Sequence, residues 1–469
     1  MDAQRSRGLL DLLFSTEEMR LVFSDHGRLQ GMLDFERALA RVEGRLGVIP
    51  ARAAEVIARP RSPDAFDLAA LASAAEQAGN LAIPLIHALT AMVARDDAEA
   101  ARYVHWGATS QDVIDTGLML QVRAGLDLID ADLARLATAL ARLAQAHRAT
   151  PMAGRTWLQQ AAPITFGLKV AGWLSAVKRD QRRLRELRGR ALAAQVGGAV
   201  GSLAAFGAQG LAIADGVAAE LALQAPDIPW HAQRDRVAEV ATTLGLLVGT
   251  LGKMARDLAL LAQSEVAEAR EPSGPERGGS STMPQKRNPV GAAVTLAAAQ
   301  RAPALVATLL AAMPQEHERG LGGWQAEWET LPEVFLLAAG ALRRMCEAAE
   351  GLEVDEQRMR ANLDVTHGFI YAEAVSLALA QHVGRERAHA LVRDAVQRVS
   401  SRGRHLRETL AADKAITAHL AAADLDALFD PQRATGLAEQ LIQRAVESPH
   451  PSPLPEGEGA EGDRRPGSV

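Results

Sequence analysis

Two runs of apolar residues, stepping alternately by three and four, constrain this chain more than any other feature. The first is Met119, Val122, Leu126, Ile129, Leu133, Leu136, Leu140 and Leu143; the second is Leu244, Leu247, Leu251, Met254, Leu258 and Leu261. Steps of three and four keep side chains on one face of an α-helix, whereas a strand repeats every two residues. The first run predicts a helix from Asp112 to His147, spanning about 54 Å at ~1.5 Å per residue. A further helical run is predicted from Ile164 to Val196, between the break at Thr150-Pro151-Met152-Ala153-Gly154 and the turn at Gly197-Gly198 and Gly201. Hydrophobic residues make up 48% of the chain and aromatics only 4%, a balance of alanine and leucine that suits close-packed helices. The expected fold is all-α, built on a long helix bundle. Two such seams also predict apolar stripes that one subunit cannot cover, and hence an oligomer.

Polar breaks divide the 469 residues. Residues 1–104 read as a small helical N-terminal domain, 105–363 as the central bundle and 364–447 as a helical C-terminal domain. The tail 448–469, rich in Pro, Gly and Glu, is expected to be disordered. A net charge of −6 and a pI of about 6.1 give no footprint for nucleic acid. Asp11 interrupts the only apolar stretch near the N-terminus, and no uncharged apolar run reaches the ~18 residues of a membrane span. The single cysteine, Cys346, allows no intrachain disulfide, which fits the cytoplasm. Neither HExxH nor CxxC occurs, so no metal is expected; neither GxGxxG nor a phosphate-binding GxxxxGK[ST] occurs, so no cofactor is expected. A G-x-S-x-G nucleophile elbow is also missing, and isolated histidines such as His87 and His317 read as structural.

Three stretches carry chemistry, each at a helix end of the predicted bundle. Gly278 to Val290 reads GGSSTMPQKRNPV. Its glycines permit positive φ, and Pro284 and Pro289 forbid a continuous helix, so it is a loop between rigid helices. Lys286 and Arg287 bring charge, Asn288 brings amide donors, and Ser280 and Ser281 bring hydroxyls into that field; the set suits an anion. The second stretch, His105-Trp106-Gly107-Ala108-Thr109-Ser110-Gln111-Asp112, places Thr109 and Ser110 just before a helix, where they cap it or meet an anion. Capping accounts for one hydroxyl but not for His105. The third, Gly154-Arg155-Thr156-Trp157-Leu158-Gln159-Gln160, reads when taken alone as a polar helix start.

Taken together, TSQD, GRTxxxxAxP and GSSTMPQKRNP, in this order and at these separations, resemble the three separated motifs of the fumarase/aspartase superfamily. The resemblance spans nearly the whole chain before the tail. It implies a three-domain all-helical fold, a homotetramer with a shared helical core, and active sites built from three subunits. It implies elimination of a group from the carbon β to a carboxylate of a small polycarboxylate, with the α-proton removed through an aci-carboxylate intermediate. It also implies that Ser280 is the loop base and that Lys286, Asn288, Thr109 and Ser110 hold carboxylate oxygens. Arg155, Trp157, Gln159, Gln160, Ser281 and Met283 are placed at the substrate by the same likeness.

Within the superfamily, the adenylosuccinate lyases share MPQKRNP and His317-Glu318-Arg319. The chain departs from them at Leu13-Phe14, at Trp157, where they carry the histidine of GRTH, and at Trp324-Gln325-Ala326-Glu327-Trp328. HWGATSQD, GRTWLQQ and GGWQAEW are instead similar to the bacterial 3-carboxy-cis,cis-muconate cycloisomerases. That likeness implies intramolecular addition of a substrate carboxylate, which is already ionised at neutral pH and needs no base to attack. The proton then delivered to carbon comes from Ser280 or from His105. The competing readings are an adenylosuccinate-lyase-like elimination and a catalytically silent scaffold; the intact loop argues against silence.

Overall fold

The computed structural model describes residues 8–274, 278–279, 283, 285–402 and 404–447. Ser280 and Ser281, and the tail 448–469 expected to be disordered, lie outside the described residues. Helix α1 (Asp25–Arg45) packs across the start of α2 (Ser110–Ala146), the longest helix described. A two-stranded hairpin follows, β1 (Pro151–Thr156) and β2 (Gln159–Thr165), and then α3 (Phe166–Ala191) and α4 (Asp235–Leu261). Strand β3 (Ala269–Arg270) leads to the loop, then α5 (Val290–Ala311) and α6 (Gly323–Glu350). Helices α2, α3, α4, α5 and α6 pack in sequence order, and α6 closes back onto α2. Thr165 caps α3 by accepting from the Leu168 N–H at 3.1 Å, fixing the point where strand becomes helix.

The seams sit where these helices meet. Met119 to Leu140 are all buried, Leu143 is half-buried, and every residue of the second seam is buried. Each such leucine stabilises the fold by roughly 1.5–3 kcal/mol relative to exposure. This corrects one expectation: the chain covers both seams by itself. Uncovered apolar surface lies instead on α5, where Ala293, Pro303, Ala304, Ala307 and Leu310 are exposed. Helices α4 and α5 are long and apolar enough to cross a membrane by length and composition, with 56% and 28% of their apolar windows buried in the chain. Arg301 is the one charge within α5.

Two further differences have local causes. The GRTWLQQ stretch is a hairpin and not a helix start. Thr156 pairs with Gln159, and Trp157 and Leu158 turn the chain with φ of 52° and 64°, the left-handed pair of a type I′ turn. Helix α3 ends at Ala191, short of Val196, because the chain peels off to exchange hydrogen bonds with Gln224.

After β4 (Glu353–Val354), which pairs with β3, comes α7 (Glu356–Asn362). Helices α8 (Ala372–Val383) and α9 (Arg385–Arg402) enclose a separate apolar core around Val375, Leu379, Val392 and Leu410. The last helix, α10 (Ala438–Glu447), returns to the bundle: Ile442 joins the main core, and Lys178 Nζ donates to the carbonyls of Ala445 and Val446, both at 2.9 Å.

Candidate active site

The long helices set the geometry of the site. Helix α2 has 37 residues, about 55 Å at ~1.5 Å per residue. His105, Thr109 and Ser110 stand at its N-terminus. Arg155, Trp157, Gln159 and Gln160 follow its C-terminus, and the described parts of the 278–290 stretch lie at that same far end.

At the His105 end, Thr109 is the N-cap of α2 and its N–H donates to Asp112 Oδ2 at 3.1 Å. Its hydroxyl is turned elsewhere and accepts from Arg319 Nη2 at 2.8 Å. Arg319 also donates to the Ala199 carbonyl at 2.9 Å, and its buried Nε has no partner among the described residues. Asp112, fully buried, accepts from the Gly197 and Gly198 N–H groups at 3.0 and 2.9 Å and pairs with His231 Nε2 at 2.7 Å. The Gly197-Gly198 amides of the expected turn therefore bind a carboxylate of the chain itself. Deeper still, Arg234 bridges Asp115 and Glu327, and Trp324 donates its indole N–H to Asp115 at 2.9 Å. Burial pushes the Glu327 carboxyl up, against the opposing pull of Arg234.

His105 sits in a left-handed turn, φ 57°, beside Gly107 at φ 70°. A Cβ at Gly107 would lie 2.6 Å from the Phe206 ring, so only glycine fits. His105 Nδ1 is 2.5 Å from Glu36 Oε1 on α1. Burial opposes the imidazolium, but the Glu36 carboxylate and Asp112 outweigh it and raise the His105 pKa.

At the hairpin end, Arg155 has both terminal nitrogens on the buried Glu268 carboxylate, at 2.9 and 2.6 Å. The guanidinium expected at the substrate thus ties the hairpin to the strand before the loop. Asn362 donates to Glu268 and accepts, through its carbonyl, from Gln160 Nε2, each at 2.8 Å. Trp157 and Leu158 stand out at the tip, 95% and 81% exposed. Gln159 is exposed beside them.

The loop is closed at its neck. The Asn288 N–H donates to the Gly278 carbonyl at 2.8 Å, and Asn288 Nδ2 to the Gly279 carbonyl at 3.4 Å. Gly278 holds φ 70°, and a Cβ there would lie 2.6 Å from the Asn288 oxygen. Arg287 clamps Glu353 at 2.7 Å, and that hydrogen-bonded guanidinium pulls the Glu353 carboxyl down to about 2. Glu271 accepts from the Gly291 and Ala292 N–H groups at the start of α5, at 2.9 and 2.7 Å. Above this neck, Met283 and Lys286 are exposed.

One chain therefore unites the hairpin and the loop neck but keeps both a bundle's length from His105, Thr109 and Ser110. Sequence reasoning missed Glu36, Glu268 and His231. The signal for Glu36 was present: Leu29, Glu36 and Glu43 are spaced seven apart, which puts two acids on the apolar face of α1.

Residues 14–303 match the family model described as lyase, and residues 368–445 match the one described as adenylosuccinate lyase C-terminus. The chain is 55% identical over 442 residues to the 3-carboxy-cis,cis-muconate cycloisomerase of Pseudomonas aeruginosa, covering 94% of this chain and 96% of that one. It is 53% identical to the enzyme of the same name from Bradyrhizobium diazoefficiens, over 94% and 98% of the two chains. The solved 3-carboxy-cis,cis-muconate lactonizing enzyme of Pseudomonas putida superposes with a TM-score of 0.90 at 52% identity, over 94% and 98% of the two chains. The chain belongs to this lyase family of the fumarase/aspartase superfamily.

Proposed function

We propose that this chain is a cycloisomerase that converts 3-carboxy-cis,cis-muconate into 4-carboxymuconolactone. A carboxylate of the substrate adds across its own conjugated double bond. The C–O bond forms, the electron pair moves into the neighbouring carboxylate, and a proton then joins carbon. The observation that carries this reading is the hairpin tip. Where the adenylosuccinate lyases carry histidine, this chain presents Trp157 and Leu158, with no titratable group between Thr156 and Gln160. An amine leaving group requires an acid there, whereas an ionised carboxylate nucleophile does not. Lys286 and Asn288 stabilise the developing carboxylate charge, with Thr109, Ser110 and Ser281 holding oxygens. Trp157, Met283, Gln159 and Gln160 shape the pocket around the diene, and Arg155 holds the hairpin in place. Ser280 and His105 are the two candidates for moving the proton. The test is loss of diene absorbance on 3-carboxy-cis,cis-muconate, run beside adenylosuccinate. Fumarate release from adenylosuccinate with no lactone formed would overturn the reading.

The site is completed between subunits of a homotetramer, in which the His105 end of one chain meets the hairpin and loop of others. Support comes from the ~55 Å that separates these ends in one chain and from the uncovered alanine-rich face of α5. Light scattering is expected to give four times the 49.8 kDa chain mass. Mixing the impaired Lys286→Ala and His105→Asn chains is expected to restore part of the activity; a fully active monomer would refute the shared site. The enzyme works in the cytoplasm, in the protocatechuate branch of aromatic degradation. Its lone thiol, Cys346, is buried and pushed up to about 12, mainly by desolvation, so no part of the site depends on an oxidising compartment.

A further inference from the structure

Glu36 lies outside all three chemistry-bearing stretches, yet it touches the only histidine among them. It shares one face of α1 with Leu29 and Glu43, at 2%, 1% and 1% exposure respectively. Two carboxyl groups on a buried face are tolerated only if each is paired or neutral. Glu43 takes the second course: burial, with the Glu36 charge adding to it, pushes its carboxyl up to about 9. Glu36 takes the first, with Oε1 on His105 Nδ1 at 2.5 Å and Oε2 buried without a partner among the described residues.

The surrounding charges are engaged elsewhere. Arg37, Arg59 and Arg61 line a small cavity with Glu36. Arg37 pairs with Asp34 at 3.1 Å, and Arg59 and Arg61 each pair with Asp96 at 3.3 Å. From α2, Asp112 faces the imidazole while holding Gly197, Gly198 and His231. His105 Nε2 has no hydrogen bond among the described residues, and the side chain is 16% exposed at the site end of the bundle. A carboxylate on Nδ1 with an open Nε2 is the arrangement that fixes one imidazole tautomer and presents the other nitrogen for proton transfer.

We propose that Glu36 is the positioning residue of the proton donor: it holds the Nδ1–H of His105, so that Nε2–H faces the substrate and delivers the proton to carbon. This rests on the cycloisomerase reading and selects His105 over Ser280. The Nε2–H bond breaks as the C–H bond forms, its electron pair stays on nitrogen, and the neutral imidazole regains a proton from water. Glu36 keeps its contact with Nδ1 throughout, and the neutral Glu43 adds no second negative charge.

The test is Glu36→Gln, read in two ways. Turnover of 3-carboxy-cis,cis-muconate should fall at least ~10-fold in kcat with KM nearly unchanged. Its alkaline limb, where the donor loses its proton, should move down by about one pH unit or more. Independently of turnover, diethyl pyrocarbonate labels a histidine only in its neutral form. Its rate at His105, followed against pH by peptide mass spectrometry, should show the same downward shift. A shifted labelling midpoint with an unshifted kcat limb removes His105 as donor. Unchanged midpoints in both readouts reduce Glu36 to an anchor of the turn. Either result, from an enzyme that still forms lactone, overturns this proposal alone; absence of lactone with wild-type enzyme overturns the parent reading and the donor role with it. If Glu36→Gln does not fold, His105→Asn decides, since the donor role requires its alkaline limb to disappear and a wild-type limb refutes it.

Discussion

The two ends of the bundle are built on opposite principles. At the His105 end, charged and polar groups are sunk beneath the surface: Asp112, Asp115, Arg234 and Glu327 are at most 1% exposed, and each is held by named partners. At the hairpin end the pattern inverts. The structural ion pairs, Arg155–Glu268 and Arg287–Glu353, hold the bases of the hairpin and loop, while Trp157, Met283 and Lys286 project outward. The buried cluster of one end is satisfied within its own chain. The other end is a rigid mount that offers side chains to something beyond it. Damage to the buried ion cluster of the first end should therefore appear as lost stability, and damage to the projecting side chains of the second as lost turnover.

The sharpest way to break the contrast is Arg234→Leu. Removing the cation strands Asp115 and Glu327 without charge compensation, so stability should fall by about 3–5 kcal/mol. Chemical denaturation measures it; a loss under ~1 kcal/mol would mean that the buried cluster does not hold the His105 end together. Next comes Lys286→Ala. The side chain is exposed on a closed neck, so Tm should hold while kcat/KM drops roughly 10²–10³-fold. Near-full activity in a folded variant would remove the loop from the site.

Trp157→His has a smaller effect. Its exposure in the single chain predicts an unchanged fold, and lost apolar contact with substrate costs at most ~2–3 kcal/mol. Kinetics on both substrates should show impaired lactone formation and no gain of adenylosuccinate cleavage. Improved lactone formation would contradict the role given to Trp157.

Glu43→Gln should give the smallest change, and one that depends on pH. The folded-state pKa, about 9, lies above the reference value of 4.5, so folding takes up a proton at Glu43. The stability this supplies is full below pH 4.5 and is lost as pH rises through about 9. The variant lacks that titration, so it should gain on wild type between pH 5 and pH 9 by at least ~1.4 kcal/mol, one pKa unit. Denaturation at both pH values reads the difference, and parallel curves would show that Glu43 is ionised in the fold.

Much of this was legible in the residues. The 3–4 spacing specified the long helices because burial on a helix repeats at that period, and the seam positions from Met119 to Leu140 are the buried ones. The loop was legible from its prolines and glycines, which exclude regular structure locally. The hairpin was not, because nothing in Trp157-Leu158 announces a type I′ turn; the left-handed backbone there is imposed by pairing between Thr156 and Gln159. Arg155 illustrates the same limit: its chemistry suits a carboxylate substrate, but the carboxylate it meets is Glu268, 113 residues away.

By itself, then, the sequence determined which segments become long helices and which residue types stand at their ends, since those depend on near neighbours. Only the tertiary structure decided which groups face one another. It closed both seams within one chain, placed Glu36 against His105 across 69 residues, and gave Arg155 the Glu268 carboxylate. Such pairings depend on how helices pack, and contacts between residues distant in sequence leave no periodic trace along the chain.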